Sequence, residues 1–380
     1  MQCLMSFIAK PSANYFLRGS GLAVCLGTVV FLGIAIGYQA IGFSVLRSDV
    51  ADYVNWSHNL AARSYPSHMP GYPALIALTR LLTFNLIGDA ALAQGICLLF
   101  WGAGVFLTSQ ILQSLAPETK EVGTLIYALA PFVGVSSAAY PLADIPAHAF
   151  FLGAVYSAVK TRWWAFALVT ALGLMIHQAF YPFYLLLALV CLFSRGMKWT
   201  CLVASGVPFA IYYVWMAALR GNVNWILAYH EKTHLAPRKG FVLFDGILGN
   251  LLRLTPIATI KGLILLLILL CAVFLAIHFL KRKNWLLLSM LLPLLMYSAA
   301  SNETICFLLV RLSKIMVFPA CVLAVEHPAI LRSLRRRSGY WLLASCLVIT
   351  QFIWAAYQVA YLSRARPRRE KPCGAGLGST

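Results

Sequence analysis

Residues 21–57 read GLAVCLGTVVFLGIAIGYQAIGFSVLRSDVADYVNWS. No charge interrupts residues 21–46, and then Arg47, Asp49 and Asp52 arrive together. An uncharged apolar run of about 18 residues or more is long enough to cross a bilayer core of roughly 30 Å. Similar runs recur along all 380 residues, of which 61% are hydrophobic and only 11% charged. A soluble chain of this length needs more polar surface to cover its core. A transmembrane barrel would show short alternating segments instead. The chain therefore reads as an all-α polytopic membrane protein, one transmembrane domain over 1–380.

About eleven spans are expected, at 21–44, 89–115, 122–140, 146–160, 163–179, 181–195, 200–219, 261–280, 285–300, 314–331 and 340–362. The segment 71–87 is apolar on one side, carries Arg80, and reads as a helix lying in the membrane interface. Lys and Arg number 30 against 11 Asp and Glu, a net charge of +19. The basic residues sit in short clusters between apolar runs: Lys160 with Arg162, Arg195 with Lys198, Lys281 to Lys283, Arg332 to Arg337. Cytoplasmic loops carry this signature under the positive-inside rule, so the charge points to membrane lipids as partners and not to nucleic acid.

With the N-terminus inside, 45–88 forms a first outer loop and 220–260 another. The basic tail, 363–380, then falls outside, against the rule. The first apolar run has no small-residue cleavage pattern and is expected to stay as a span. The expected location is a bacterial inner membrane, crossed many times, with the endoplasmic reticulum as the alternative. Ten cysteines with no CxxC pair read as buried free thiols. No GxGxxG or GxxxxGK[ST] occurs, and the inner loops are too short for a nucleotide-binding fold.

Two of the five aspartates, Asp49 and Asp52, stand where the first apolar run ends. A carboxylate so close to hydrocarbon costs several kcal/mol unless it meets water, a cation or a substrate. Asp49 also suits the start of a helix near Ala51. The stretch that follows, DYVNWSHNLAARSYPSHMPGYP at 52–73, resembles the first outer loop of GT-C superfamily glycosyltransferases. The likeness is to the bacterial branch related to protein O-mannosyltransferases and lipid A aminoarabinose transferases. Those enzymes carry an acidic residue after the first span, a Tyr-containing helix, and a Pro-rich turn that opens an interfacial helix. The matching residues are Asp49, Asp52, Tyr53, Pro66, His68, Pro70, Gly71, Tyr72 and Pro73. YPLADIPAHAFFLGAVY at 140–156 is similar to the family's second acidic loop, with Asp144 before Pro146. ETICFLLVRLSKIMVFPA at 303–320 is a looser match to a late RYxxPxxP segment. Leu312 replaces the usual Tyr and only Pro319 is in place.

The resemblance implies transfer of a sugar from a polyprenyl-phosphate-type carrier to an acceptor on the outer or lumenal side. Such a reaction needs a base for the acceptor hydroxyl, cations where charge builds on the leaving phosphate, and an apolar groove for the lipid. Asp49 is the candidate base, Asp144 its partner and Asp52 the third acidic residue. Arg311 and Lys314, three apart and so on one helical face, are candidates for the phosphate, with Arg63 or Arg80 as substitutes. His68, Tyr72 and Tyr53 are candidates for substrate contact. His177 and Gln178, at the outer end of a span, suit a hydrogen bond to a neighbouring helix. No cofactor is fixed by the sequence, and two acidic loops can work with or without a divalent ion.

Two rival readings come from other features. WILAYHEKTHLAPRKG at 225–240 holds a literal HExxH, in which His230 and His234 share a helical face as zinc requires and Glu231 could activate water. Asp245 in the following FDG could complete the ligand set, as in intramembrane zinc proteases. Against this, Pro237 ends the helix at once and only about ten residues separate His234 from Asp245. A transporter or flippase is the other rival, although no repeated halves are visible and the aspartates lie in loops.

Overall fold

A computed structural model describes residues 13–46, 49–60, 69–130, 138–221, 244–252, 256–299, 305–327, 329 and 337–364. Every regular element among them is helical. In chain order they are α1 (Ala13–Ala40), α2 (Asp49–His58), α3 (Gly71–Leu82), α4 (Asp89–Leu115) and α5 (Lys120–Leu129). Next come α6 (Asp144–Val159), α7 (Trp163–Leu174), α8 (Tyr181–Ser194), α9 (Trp199–Arg220) and α10 (Asp245–Leu252). The chain closes with α11 (Pro256–Lys281), α12 (Trp285–Ala299), α13 (Ile305–Leu312), α14 (Val317–Val325) and α15 (Arg337–Arg364).

Among the described residues, five helices are long and apolar enough to cross a membrane: Gly21–Ala40, Asp89–Leu115, Trp199–Ala218, Thr259–Lys281 and Gly339–Ala360. Their outward faces are apolar as well. On α11, Leu263, Leu267, Leu270, Phe274 and Ile277 recur every three or four residues and are all exposed. A stripe of that size facing water would drive association, whereas facing lipid it costs nothing. The protein is thus a helical membrane protein.

The remaining expected spans are broken or short. The helix of 122–140 stops at Leu129, and 131–137 lie outside the described residues. The segment 314–331 opens with a tight 3-10 turn at Ser313–Met316 and its helix ends at Val325. The segment 163–179 ends as helix at Leu174, with a 3-10 turn at Gln178–Phe180. Neighbours make these short pieces possible. Gln351 on α15 donates its side-chain amide to the carbonyls of Leu129 and Ala130, satisfying the open end of α5 in place of the next helical turn.

Among the described helices α6 is the most enclosed, packed against α4, α7 and α8, with 12 of its 16 residues buried. Asp144 in the first turn favours the helix dipole, and Pro146 falls where a missing N–H costs nothing. The helices run between one end rich in Lys and Arg and another where four Asp gather with Arg80 and Arg311. One end holds Lys120, Lys160, Arg162, Arg195, Lys198 and Lys281 to Lys283. It is tied together by Arg195 to the Ala158 carbonyl (3.1 Å) and Arg282 to Glu326 (2.9 Å). The other end holds Asp49, Asp52, Asp89 and Asp144. It is tied by Gln94 to the Ala139 carbonyl (2.7 Å) and Tyr297 to the Ala179 carbonyl (3.0 Å).

α3 closes the acidic end. Tyr72, Pro73 and Ile76 are buried, while Leu78, Leu81 and Leu82 face outward, so this helix is apolar on both sides of a narrow polar strip. It docks through backbone: the Gly71 N–H donates to the Met175 carbonyl at 2.7 Å. A Cβ at Gly71 would stand 2.5 Å from that oxygen and 2.7 Å from its carbon. Gly71→Ala is therefore expected to push α3 away and cost about 1–3 kcal/mol, the range for forced overpacking. Thermal unfolding in detergent checks this, and an unchanged midpoint would contradict the close docking.

Candidate functional site

The acidic end gathers ionisable groups from four separate stretches. Asp144 and Arg311 form its centre, with Arg311 Nη1 donating to Asp144 Oδ2 at 2.6 Å across 167 residues of sequence. The Asp144 side chain is 3% exposed and that of Arg311 24%. Burial pushes the Asp144 carboxyl up, but the charge of Arg311 and those of His177 and His148 outweigh it and hold the group below the usual carboxylate range. Asp144 is an ionised partner of Arg311 and hence a poor proton acceptor.

Asp49 and Asp52 both lie in the first turn of α2, where the helix dipole favours a carboxylate. Asp49 is exposed, and Tyr53, one turn on, is buried beneath it. The charge of Asp49 reaches Tyr53, Arg311 and His177, so it shares one electrostatic neighbourhood with the Asp144 pair. Burial, followed by the charges of Asp49 and Asp144, raises the Tyr53 hydroxyl well above its ordinary value, so it stays protonated.

Tyr53 and Tyr72 differ from the expected substrate contacts. Both are buried, with their rings edge to face at 5.1 Å, and the Tyr72 hydroxyl lies 3.2 Å from Cys97 Sγ. They lock α2, α3 and α4 together and offer no ring face to a sugar. Arg311 and Lys314 also part company. Helix α13 ends at Leu312, and the tighter turn that follows swings the Lys314 ammonium over the Tyr127 ring, 3.6 Å from its centre. Arg80 is engaged elsewhere: it donates to Asp89 Oδ1 at 2.7 Å and to Ser57 at 2.8 Å, with His58 on the other Asp89 oxygen at 3.0 Å. Arg63, His68, His230, Glu231 and His234 lie outside the described residues, as does the side chain of Asp245.

Two histidines join the cluster. His148 Nε2 is 3.2 Å from the Arg311 backbone carbonyl, and its ring stands edge-on to Phe180 at 4.9 Å. His177 sits at the turn before α8, with Nε2 4.0 Å from Asp144 Oδ1. A signal for His148 exists in the sequence, since it stands four residues after Asp144 and so on the same helical face. His177 has no such signal, because only the fold brings it to Asp144.

Among the described residues, no three His, Cys, Asp or Glu side chains gather to hold a metal ion. A cavity of about 220 Å³ between α1 and α15 lies toward the basic end and is lined by Leu26, Trp341, Ala344, Ser345, Val348 and Ile349. It holds no ionisable group and is remote from the Asp144 cluster. At the acidic end a carboxylate open to solvent lies within electrostatic reach of a guanidinium anchored by a second, buried carboxylate. No family model matches the chain, and no curated protein matches it.

Proposed function

We propose that the chain is a multi-pass glycosyltransferase of GT-C type, with about eleven spans, in a bacterial inner membrane. It moves a sugar from a polyprenyl-phosphate-type carrier to an acceptor at the side of the membrane opposite its basic loops. The observation that carries this reading is that the exposed Asp49 lies within electrostatic reach of the buried Asp144–Arg311 pair at the acidic end of the bundle. The positive-inside rule puts the basic end in the cytoplasm and this cluster on the outer face.

Asp49, exposed, takes the proton as the acceptor oxygen attacks the sugar's anomeric carbon. The bond from that carbon to the phosphate oxygen breaks, and the carrier phosphate leaves with the bonding pair. Arg311 uses one described hydrogen bond to Asp144 and turns its other N–H groups toward the charge growing on the phosphate. Asp144 is a positioning residue that fixes the guanidinium.

The test is a transfer assay on the full chain in nanodiscs, with a panel of polyprenyl-phosphate sugars as donors and a bacterial cell-envelope fraction as the source of acceptors. Mass spectrometry would follow release of the free carrier phosphate. Release from at least one donor is expected; none from any donor, with intact folded protein, would overturn the reading.

A further inference from the structure

One turn of α6 holds Arg311 at two points. Asp144 takes its guanidinium at 2.6 Å, and His148, four residues on, lies with Nε2 3.2 Å from its backbone carbonyl. A carbonyl oxygen only accepts, so Nε2 carries the proton and donates it. His148 is buried, and its Nδ1 has no hydrogen-bond partner. An imidazole buried among apolar side chains costs free energy that a Leu or Phe would not. Its one described hydrogen bond goes to the backbone of the residue whose guanidinium Asp144 anchors.

The carbonyl it meets is a loose end. α13 stops at Leu312, so Arg311 is one of its last four residues, whose carbonyls lack α-helical partners. The preceding carbonyl, that of Val310, is taken by the Ser313 hydroxyl at 2.6 Å. Phe180 fixes the His148 ring from the other side, edge to face at 4.9 Å. The Asp144 contact alone would let the guanidinium swing about Oδ2. A second hold on the Arg311 backbone removes that freedom, while 24% of the Arg311 side chain stays open.

We propose that His148 is a positioning residue for sugar transfer: by holding the Arg311 carbonyl, it keeps the open guanidinium N–H groups aimed at the leaving phosphate. This rests on the transferase reading above, in which Arg311 meets that phosphate.

The test follows carrier-phosphate release by the full chain in nanodiscs, with the donors and acceptors of the transfer assay. His148→Leu removes the hydrogen-bond donor. Its kcat should fall about 10- to 100-fold, the loss when a group is displaced by about 1 Å. KM for the donor should stay within about threefold, because the charge that Arg311 meets grows only in the transition state. His148→Gln, whose amide N–H can stand near the Nε2 position, should recover most of kcat. If His148→Leu does not fold, His148→Asn replaces it with the same expectation, since its shorter amide falls short of the Arg311 carbonyl. Phe151→Leu is the control. It trims a buried ring packed on the same Phe180 without removing a donor, so it should lower the melting temperature and leave kcat near native. Native kcat in His148→Leu overturns the proposal. So does a His148→Gln variant as slow as His148→Leu, or an equal loss in Phe151→Leu, since the loss would then follow packing and not the hydrogen bond. Any of these results with an active native chain removes this inference alone. No release by the native chain from any donor overturns both this inference and the transferase reading.

Discussion

Asp49→Ala is expected to lower sugar transfer by about 10²- to 10⁴-fold, the contribution of a positioned general base. The loss should fall on kcat, because the proton is taken only as the new bond forms. Asp49→Asn, which keeps shape and polarity but cannot accept the proton, should fall nearly as far. Stability should change little. Asp49 is exposed at the first turn of α2, where a carboxylate contributes about 0.3–1 kcal/mol through the helix dipole. A matched Glu231→Ala variant should keep its activity. If Glu231→Ala abolished function and Asp49→Ala did not, the HExxH reading would replace the one proposed.

Arg311→Ala should be the most destabilising single change at the site. It leaves Asp144, 3% exposed, ionised without a partner. Breaking a buried pair from one side costs about 3–5 kcal/mol, much of it the penalty on the charge left behind. A double variant, Asp144→Leu with Arg311→Met, should recover most of that stability while remaining inactive, which separates the packing role from the phosphate role. The pH dependence has opposite signs in the two proteins. In the native chain Arg311 holds Asp144 below its unfolded value, so the stabilisation is complete above about pH 4 and lost as pH falls through the lowered folded value. In Arg311→Ala, burial, the largest influence on Asp144, is opposed only by His177 and His148 and raises its value, so the folded state takes up the proton first and stability rises on acidification from neutral pH. Chemical unfolding of both proteins at pH 7 and pH 5 in detergent checks this. A flat profile for the variant would mean that Asp144 finds another cation.

How much of this was legible in the sequence depends on range. Asp49, Asp144 and Arg311 each stand at the edge of an apolar run, and alternation of runs across a membrane was enough to direct all three to one end. Nothing local could pair Asp144 with Arg311, because the contact is made by two helices 167 residues apart. The same lack hid the partner of His177, which the sequence places at the outer end of a span. Lys314 went astray because the three-residue spacing assumed an unbroken helix, whereas the turn at Ser313–Met316 redirects it to Tyr127. Tyr72 looked like a ligand contact because aromatic rings near a membrane surface serve both packing and recognition. Its burial is a property of how α3 docks on Met175, and composition does not encode that. Hydropathy also merged pieces that the fold keeps apart. It reports how much apolar surface a segment carries, while helix ends inside a bundle are decided by partners such as Gln351.

The most direct measurement is a structure of the chain with citronellyl phosphate bound. The phosphate is predicted within hydrogen-bond distance of Arg311, at the acidic end, with Asp49 facing the side from which an acceptor would attack. A phosphate seated at the basic end, among Lys160, Arg162 and Arg195, would contradict the account.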